Sequence, residues 1–551
     1  MTWDKRTLLQ KDSPKPHQFT DPAMAYQILT QLDTYKPYNN GWNTTEAAKQ
    51  YKSRFLGLTS DYKYCQKHRA YYVENPGYIF SQINFMTGWD NLIRTQVLQV
   101  IGNDVMPNTS RKLSKKVLPR STEATDIKPD VNLIVTWAEM NYQRQVQTQY
   151  SCLGQMSDHI PGLNSVKVKG NLSETINKYA LSTYKTRPYC FDSERFFPKT
   201  YSLRDPEQCR EFFEIFNSEE HQRKKAQQKI VYFRKVGSGA HGTDGVFAVD
   251  DQEEISIKAL YQNGTLCGEI QDDNLMQYSV HNPLLLNGRK FDFRIYMLIA
   301  SVNPKIVYYH DGLLRVSLSN YDPNNLSKFS LMPNSDENDE VIRKARLKGD
   351  YQGKTAEEIR EEYMWSLERL RDYLLENGYI SDPDWLDNYL RPEFKKAMIH
   401  LVRMAGNDYL KISSVYELHG LDFILDENLK LWFIETNCRP AIEETTPFSR
   451  ELFRKMFLDQ YEIVIGLLRS RMKRVYEYVN HIIQREEAVW GSDGKVYMKN
   501  KPEKLKEFKE VIKNYFELEF EPRKGNSFSK IMDENLTGVQ RFSGLISNEC
   551  L

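Results

Sequence analysis

The feature that most constrains the fold of this chain is a strand-turn-strand unit late in the sequence. Two apolar runs, residues 420–425 and 429–435, flank the turn sequence Asp426-Glu427-Asn428. Because side chains alternate between the two faces of a strand, Glu435 and Asn437 share one face. The spacing therefore predicts an antiparallel hairpin with polar groups at one end of an otherwise apolar sheet.

Three hard oxygen donors meet at the mouth of this hairpin, because Asp422 lies on the strand that pairs with Glu435 and Asn437. A carboxylate in apolar surroundings is costly unless it pairs with a cation or binds a metal. Mg²⁺ takes such oxygen ligands from a protein when nucleotide phosphates complete its coordination shell. An ion pair between Glu435 and Arg439 fits the same pattern, so the fragment alone leaves both interpretations open.

A second alternating segment carries charges in the order plus, minus, plus on one face. In it, Lys290, Asp292 and Arg294 alternate with apolar side chains, and Arg315 on an adjoining hairpin adds another cation. Converging Arg and Lys side chains suit phosphate and carboxylate ligands. A solvated strand face shows the same alternation and is the alternative interpretation.

A glycine-rich segment follows a strand predicted at residues 230–235. It holds four glycines from Gly237 to Gly245, among them Gly242. Such a loop lets backbone amides approach an anion. The segment matches neither G-x-x-x-x-G-K-[ST] nor G-x-G-x-x-G, and a flexible hairpin tip would explain it equally well.

The remaining periodicity indicates hairpins interleaved with helices. Helices are predicted at Pro22–Leu32, at 208–216, and from Pro447 to about Glu487. Residues 305–318 are predicted to form a hairpin with Asp311-Gly312 as its turn. The charged stretch 336–362 is predicted to be an insertion or mobile loop, and residues 491–551 a polar, irregular tail. These elements predict an α+β architecture with antiparallel sheets.

Composition argues against several classes of protein. Apolar residues fill 40% of the 551 positions, too many for a mostly disordered chain. Lys and Arg total 75 against 74 Asp and Glu, which does not favour a globally basic nucleic-acid-binding protein. The seven scattered cysteines lack a C-x-x-C pair and favour a reducing compartment over a disulfide framework or a zinc site. With no recognisable secretory leader or membrane-spanning run, a soluble intracellular protein is expected.

In their order along the chain, these units resemble the tubulin tyrosine ligase-like family, whose catalytic core has the ATP-grasp fold. Three upstream segments agree with the resemblance, at residues 158–162, 169–172 and 196–201. The similarity spans roughly residues 71–469 and is closest to protist-type members. It implies an ATP-grasp enzyme with an N-terminal accessory domain and a C-terminal helical extension.

The resemblance also implies roles for individual residues. The magnesium ligands would be Asp422, Glu435 and Asn437. The residues that handle phosphate and the acyl-phosphate intermediate would be Lys290, Asp292, Arg294 and Arg315. The nucleotide would further contact Gln277 and Tyr278 in the adenine-binding linker, Gly242 in the glycine-rich loop, and Lys235, or alternatively Arg234, ahead of that loop.

Three positions depart from the family pattern. Tyr278 stands where the family has a lysine, the glycine-rich loop lacks its usual basic residue and is one residue longer, and residues 329–334 replace a His-Leu-Thr-Asn segment. These departures bear on adenine recognition, catalytic competence and substrate choice.

The resemblance implies an ATP-dependent ligase that adds glutamate or glycine to glutamate-rich tubulin tails through an acyl phosphate, with ATP and Mg²⁺ as cofactors. The expected partners are tubulin or microtubules and a free amino acid, and binding to nucleic acid or to a membrane is not expected. The protein is expected to be a monomer located in the cytoplasm, at the cytoskeleton, or in a cilium, axoneme or basal body. Basic clusters at residues 111–120, 221–229 and 469–474 are candidate contacts for acidic tails.

Two other hypotheses remain open. The departures favour a non-catalytic member that binds microtubules as a ciliary structural or adaptor protein. A ligase that modifies a non-tubulin acidic protein is the third hypothesis.

Five segments are expected along the chain. They are a loosely ordered arm (1–60), an accessory domain (61–200), a central ATP-grasp subdomain with the glycine-rich loop (201–285), a nucleotide and metal domain (286–470), and a helical extension with a polar tail (471–551).

Overall fold

The structure is a computed structural model, and it describes the parts of the chain that form its apolar cores. The described residues are 17–33, 63–81, 83, 85–87, 97, 130–135, 152–160, 163–186, 190, 196–227, 230–237, 245–322, 335–348, 351–406, 413–438, 440–442, 444–547 and 550. The predicted basic cluster at 111–120, Gly242, residues 329–334 and Arg439 lie outside these ranges.

The secondary structure alternates between strands and helices along the chain. The strands are β1 Phe85–Thr87, β2 Leu133–Val135, β3 Met156–Asp158, β4 Thr200–Ser202, β5 Tyr232–Val236, β6 Val246–Ala248, β7 Asn274–Tyr278, β8 Leu285–Leu286, β9 Arg289–Val302, β10 Lys305–Val316, β11 Met364–Trp365, β12 Val415–Leu425, β13 Leu431–Asn437, β14 Ala488–Trp490, β15 Val496–Met498 and β16 Ser529–Asp533. The α-helices are α1 Pro22–Leu32, α2 Lys63–Glu74, α3 Tyr78–Ser81, α4 Asn164–Lys167, α5 Lys169–Thr186, α6 Pro206–Phe216, α7 Glu219–Gln227, α8 Asp251–Leu260, α9 Ser335–Leu347, α10 Ala356–Arg360, α11 Leu367–Glu376, α12 Arg391–Met404, α13 Pro447–Gln484 and α14 Lys501–Val511.

The larger sheet is mixed and is built around three long antiparallel strands, in the order β12-β9-β10. On one side, β3 pairs with β12 in parallel and continues into β2 and β1, while β13 pairs with the other half of β12 as the predicted hairpin. On the other side, β11 and β16 share the outer edge of β10. The predicted antiparallel arrangement is therefore confirmed for the central strands, and the sheet as a whole is mixed.

Two apolar cores cover the faces of this sheet. On one face, α12 packs against β9 and β12, with the Phe394 ring centroid 5.2 Å from that of Phe293 and 4.9 Å from that of Phe423. On the other face, Tyr296 packs against Phe453 of the long helix α13, at 6.0 Å between ring centroids. Helix α13 thus covers the end of this face that carries Tyr296 and does not cover the charged end near Arg294.

A smaller antiparallel sheet, in the order β4-β7-β5-β6, forms a separate layer with helices α6, α7 and α8. Its core is aromatic and includes the fully buried Phe212, Tyr232 and Tyr261. Helix α6 starts at Pro206, before the predicted residue 208, because Asp205 caps it by accepting hydrogen bonds from the backbone N–H groups of Glu207 and Gln208.

The predicted hairpin at residues 305–318 is wrong, because a single strand, β10, runs through it from Lys305 to Val316. The strand pairs with β9 along its length, with a register shift between His310 and Leu313. At Gly312 the two strands approach so closely that a Cβ atom would overlap the carbonyl oxygen of Arg294. The glycine therefore marks a bulge rather than a turn.

Two segments expected to be irregular are ordered. The charged stretch 336–362 contains all but the first residue of α9 and the whole of α10, and a capping box between Thr355 and Glu358 starts α10. The tail after residue 490 forms β15, α14 and β16, and its buried Phe508 and Met532 complete the two cores of the larger sheet. These side chains are too sparse in the sequence to give a periodic pattern.

The prediction that the cysteines stay unpaired is wrong. Disulfides join Cys65 to Cys152, Cys190 to Cys550, and Cys209 to Cys267, and Cys438 takes part in none of them. The partners are 58 to 360 residues apart in the sequence, so only the tertiary fold brings them together. Among the described residues, no helix has both the length and the apolar character needed to cross a membrane.

We predict that Gly312→Ala destabilises the protein by about 1–3 kcal/mol, because the new methyl group overpacks the bulge against β9. Gly77→Ala is the matched control, since a Cβ there would meet its nearest neighbour, His17, at an ordinary 3.8 Å. Thermal unfolding of both variants measures the difference. Equal melting temperatures would contradict the close approach of β9 and β10.

Candidate active site

Four adjacent strands bring charged side chains together on one face of the larger sheet. Asp422 on β12 lies opposite Arg294 on β9 and Glu435 on β13, and Arg315 on β10 lies opposite Asp292 on β9. The alternation that predicted a shared face for these residues is thus realised in the strand register. We call the set Lys290, Asp292, Arg294, Arg315, Asp422, Glu435 and Asn437 the charged face.

The shortest contact in the charged face joins Arg294 to Asp422. Arg294 donates through Nε to Oδ1 at 2.5 Å and through Nη2 to Oδ2 at 3.0 Å, a bidentate geometry. Burial by itself would raise the pKa of the Asp422 carboxyl, but the guanidinium groups of Arg294 and Arg315 outweigh it and hold the pKa below its usual value. Asp422 therefore stays ionised although it is buried.

Arg315 bridges two carboxylates. It donates to Asp292 through Nε at 2.8 Å and through Nη2 at 2.6 Å, and Nη2 also lies 3.2 Å from Oδ2 of Asp422. For Asp292, burial outweighs the attraction of Arg315 and raises the pKa to about 6. The two neighbouring carboxylates have opposite pKa shifts because only Asp422 accepts hydrogen bonds from both arginines, and its negative charge further raises the pKa of Asp292.

Glu435 and Asn437 complete a converging set of oxygen donors. The amide Nδ2 of Asn437 lies 3.4 Å from Oδ2 of Asp422 and 3.4 Å from Oε1 of Glu435. Turning this amide by 180° would aim its oxygen at the same point. In the described part of the chain, no group of three or more His, Cys, Asp and Glu side chains could hold a metal. The donor set fits Mg²⁺ only with the Asn437 amide and phosphate oxygens as further ligands.

Two buried lysines lie beside this set without a carboxylate partner. The side chain of Lys235 on β5 makes no hydrogen bond or ion pair within the described residues. The Nζ atom of Lys290 lies 5.9 Å from the ring centroid of Phe233 and 5.8 Å from that of Tyr321. Burial lowers the pKa of each lysine to about 8, although Glu435 favours the charged form of Lys235 and Asp292 that of Lys290. The alternative candidate, Arg234, is paired with Glu253.

Lys169 is a cation of this region to which the sequence gave no role. It begins helix α5, and its Nζ lies 3.6 Å from Oε2 of Glu435. The next residue, Gly170, donates its backbone N–H to the carbonyl of Gly237, where the glycine-rich loop begins. The start of α5 therefore contacts both sheets. The segment 169–172 supports the family resemblance, but the sequence does not show that Lys169 reaches Glu435.

The side chains of the predicted adenine-binding linker make contacts with other side chains of the protein. Gln277 is buried and donates through Nε2 to Oγ1 of Thr200 at 2.9 Å. The ring of Tyr278 packs on that of Tyr232, with 4.5 Å between centroids, and its hydroxyl accepts a hydrogen bond from Lys224 at 3.3 Å. The adenine-binding role of Gln277 and Tyr278 stays a prediction.

Two of the basic clusters proposed for acidic tails, 221–229 and 469–474, contain described residues that pair inside the protein. Arg469 and Arg471 are buried in α13 and donate to backbone carbonyls, at 3.0 Å to Ile79 and 2.7 Å to Gln155 respectively. The tail-binding interpretation of 469–474 is therefore wrong for these two residues. In α7, Lys225 pairs with Asp251 at 2.6 Å.

Comparison with known proteins identifies the family of the chain. A sequence model described as the tubulin-tyrosine ligase family matches residues 144–472, more than half of the chain. Protein polyglycylase TTLL10 from Macaca fascicularis is 26% identical over 51% of this chain and 43% of its own length. Inactive polyglycylase TTLL10 from Homo sapiens is 26% identical, with shares of 51% and 40%. Tubulin monoglutamylase TTLL4 from Homo sapiens is 30% identical, with shares of 34% and 15%.

The chain spans less than half the length of these relatives. The family match nevertheless includes every residue of the charged face and the strands that carry them. This chain belongs to the tubulin-tyrosine ligase family.

Proposed function

We propose that this protein is an ATP-dependent ligase of the ATP-grasp fold that joins glutamate or glycine to glutamate side chains of tubulin tails. The observation that carries the proposal is the pair of lysines, Lys235 and Lys290, buried without a carboxylate partner beside the carboxylates of the charged face. Buried cations without partners are costly. The phosphates of a nucleotide would supply the missing negative charge.

The proposed reaction has two chemical steps. The γ-phosphoryl group of ATP passes to a carboxylate of the acceptor, which gives an acyl phosphate and ADP. The amine of the amino acid then attacks the acyl carbon, and inorganic phosphate leaves. Arg294 and Arg315 are positioned to stabilise the charge that develops on the transferred group, because each is held in a fixed fork by a carboxylate.

Mg²⁺, held by Asp422, Glu435 and Asn437, would neutralise the phosphate oxygens. Lys235 lies on the smaller sheet and Lys290 on the larger one, so the two would contact the phosphates from opposite sides. We further propose that residues 201–285 act as one subdomain that covers the nucleotide and 286–470 as the domain that holds the metal. A monomer on the cytoskeleton, in a cilium or at a basal body would be its working form.

A non-catalytic microtubule-binding function is the second candidate. It is favoured by the departure at Tyr278, whose ring packs on Tyr232 where the family has a lysine. A relative named as an inactive polyglycylase shows that members with this similarity can lack activity. The unpartnered lysines argue against this candidate. A protein that only binds microtubules gains nothing from burying two cations that destabilise its fold.

We predict that Glu435→Gln abolishes amino-acid transfer and weakens binding of Mg-ATP, because it removes a negative charge from the metal site but keeps the side-chain size. Transfer is measured with purified protein, ATP, microtubules and each labelled amino acid in turn, with tail-less microtubules alongside. Glu376→Gln, at an exposed position, is the matched control and should transfer normally. If wild type transfers no amino acid, or Glu435→Gln transfers as well as wild type, the catalytic assignment fails.

We predict that Arg315→Lys lowers kcat by about 100-fold, since an ammonium group cannot span Asp292 and Asp422 as the guanidinium fork does. The melting temperature should fall as well, because the ammonium group leaves oxygens of the buried Asp292 and Asp422 without a donor, so kcat is measured well below the unfolding transition. Arg371→Lys, which alters an exposed pair with Asp372, serves as the control and should keep full activity. A kcat within a factor of two of wild type would remove Arg315 from the mechanism.

We predict that nucleotide binding takes up about 1.5 protons at pH 8.5, because Lys235 and Lys290, with pKa values of about 8, are then each about three-quarters neutral in the free protein and become charged beside phosphates. Calorimetric titration with an ATP analogue in two buffers of different ionisation enthalpy counts the protons. Proton uptake should disappear at pH 6.5. At pH 8.5 it should be smaller in Lys290→Met than in wild type and unchanged in the control Lys506→Met, because Lys506 is exposed. Buffer-independent heats at pH 8.5 would contradict the neutral lysines.

A further inference from the structure

Gly420 lies inside the larger sheet, on the same strand as Asp422 and two residues before it. On β12 it pairs with Tyr296 of β9 on one side and with Asn437 of β13 on the other. Because side chains alternate along a strand, a side chain at position 420 would point to the same side of the sheet as that of Asp422. It would therefore enter the charged face.

The backbone conformation of Gly420 gives no reason for a glycine. The residue lies within a run of consecutive strand pairs, and it is not among the glycines with a positive φ. A glycine inside a strand costs backbone entropy and has no side chain to pack. Its missing side chain is therefore the property to be explained, and the close approach of another group is a common cause.

Arg294 occupies the space that a side chain at position 420 would need. A Cβ atom on Gly420 would lie 2.8 Å from Cδ of Arg294 and 3.4 Å from its Nε. Non-bonded carbon atoms in good contact are about 3.5–4.0 Å apart, so this Cβ and the present side chain of Arg294 exclude each other. The stem of Arg294 therefore lies against the bare backbone of Gly420, and from there its fork reaches Asp422.

The same Cβ atom would also meet Pro440, whose ring Cβ would be 2.7 Å away. The proline ring is fixed to its backbone and Gly420 is held by strands on both sides, whereas the side chain of Arg294 has rotatable bonds. We therefore expect the arginine to move. A rotation of its stem would separate Nε and Nη2 from the two oxygens of Asp422 that a bidentate pair requires.

We propose that Gly420 is a positioning residue for Arg294. Its missing side chain lets the arginine stem lie against β12, so that the fork is held toward Asp422 and faces the transferred phosphoryl group. Only the effect on phosphoryl transfer rests on the proposed ligase reaction. The fixed contact between Arg294 and Asp422 exists whether or not the protein transfers an amino acid.

The first test is a double-mutant cycle on kcat for amino-acid transfer. Gly420→Ala should lower kcat about 100-fold, and Arg294→Lys should do the same, because each removes the bidentate fork. Since both changes remove one interaction, the double variant should lie within about 3-fold of the single variants, whereas independent effects would multiply to roughly 10,000-fold. A kcat of Gly420→Ala close to that of wild type, or effects that multiply, would overturn the proposal.

Gly466→Ala is the matched control. Gly466 lies in α13, and a Cβ there would meet the carbonyl oxygen of Phe520 at 2.5 Å, a comparable overlap that involves no residue of the charged face. This variant should melt below wild type but keep its kcat, with every rate measured well below the unfolding transition. An equal loss of kcat in Gly466→Ala would assign the effect to overpacking in general and overturn the positioning role.

A second cycle, on the melting temperature, covers the case in which Gly420→Ala does not fold. Arg294→Ala removes the atoms that the new methyl group would meet. Gly420→Ala should therefore lower the melting temperature less in the Arg294→Ala background than in wild type, and a double variant that folds where Gly420→Ala alone does not fits the same expectation. An equal or larger loss in the Arg294→Ala background would overturn the proposal.

A spectroscopic measurement tests the position of Arg294 without any transfer assay. In protein made with isotopically labelled arginine, the buried Nε–H group of Arg294, hydrogen-bonded to Asp422 at 2.5 Å, should exchange slowly with solvent. Its signal is identified by its absence from Arg294→Lys. It should be lost or displaced in Gly420→Ala and unchanged in Gly466→Ala.

The signal and the transfer assay fail separately. An unchanged Arg294 signal in Gly420→Ala, or a wild type without a protected Arg294 signal, would overturn the positioning role. If the signals behave as expected in a wild type that transfers no amino acid, the ligase assignment fails and the positioning of Arg294 by Gly420 stands.

Discussion

The buried ion pair between Arg294 and Asp422 is the contact on which the arrangement of the larger sheet depends. An ionised carboxylate at this depth is tolerated only because two guanidinium groups from β9 and β10 reach it. A shift of either strand by one residue would turn these charges into the Phe293 and Phe394 core and bring apolar side chains to the site. The electrostatics of the site and the register of the sheet thus specify each other.

The same contact explains how the site can be both rigid and receptive. Asp292 and Asp422 hold the two arginines in fixed orientations, so little reorganisation is needed when a phosphoryl group arrives. Lys235 and Lys290 are not held in this way, and their lowered pKa values reflect positive charges that lack a counterion. The two arginines of the charged face are therefore paired within the large sheet, and the two lysines lack a counterion where that sheet meets the smaller one.

Local periodicity was sufficient to predict the parts of the site that lie on neighbouring strands. Alternation placed Lys290, Asp292 and Arg294 on one face, and the turn at residue 426 placed Asp422 beside Glu435. What periodicity could not predict depends on contacts distant in sequence. Lys169 reaches Glu435 from a helix more than 200 residues earlier in the chain. The prediction of a turn at Gly312 is wrong because the sequence does not show that Arg294 lies beside it on the neighbouring strand.

The predictions for the basic run at 469–474 and for the cysteines are wrong for a related reason, because both depend on contacts between distant parts of the chain. Arg471 is charged and would be expected at the surface, yet it is buried where the backbone carbonyls of Gln155 and Ser413 accept its hydrogen bonds. The cysteines have no spacing motif because each disulfide joins separate elements. In both cases the sequence supplies the residue types, and only the packing shows their partners.

The most direct test of the nucleotide site is the melting temperature of the wild-type protein with and without a millimolar, non-hydrolysable ATP analogue and Mg²⁺. A site whose lysines lack counterions should bind the triphosphate, and binding to the folded state alone should raise the melting temperature by about 3 °C or more. The analogue without Mg²⁺ should give a smaller rise. An unchanged melting temperature with both present would contradict the assignment of the charged face as a magnesium-nucleotide site.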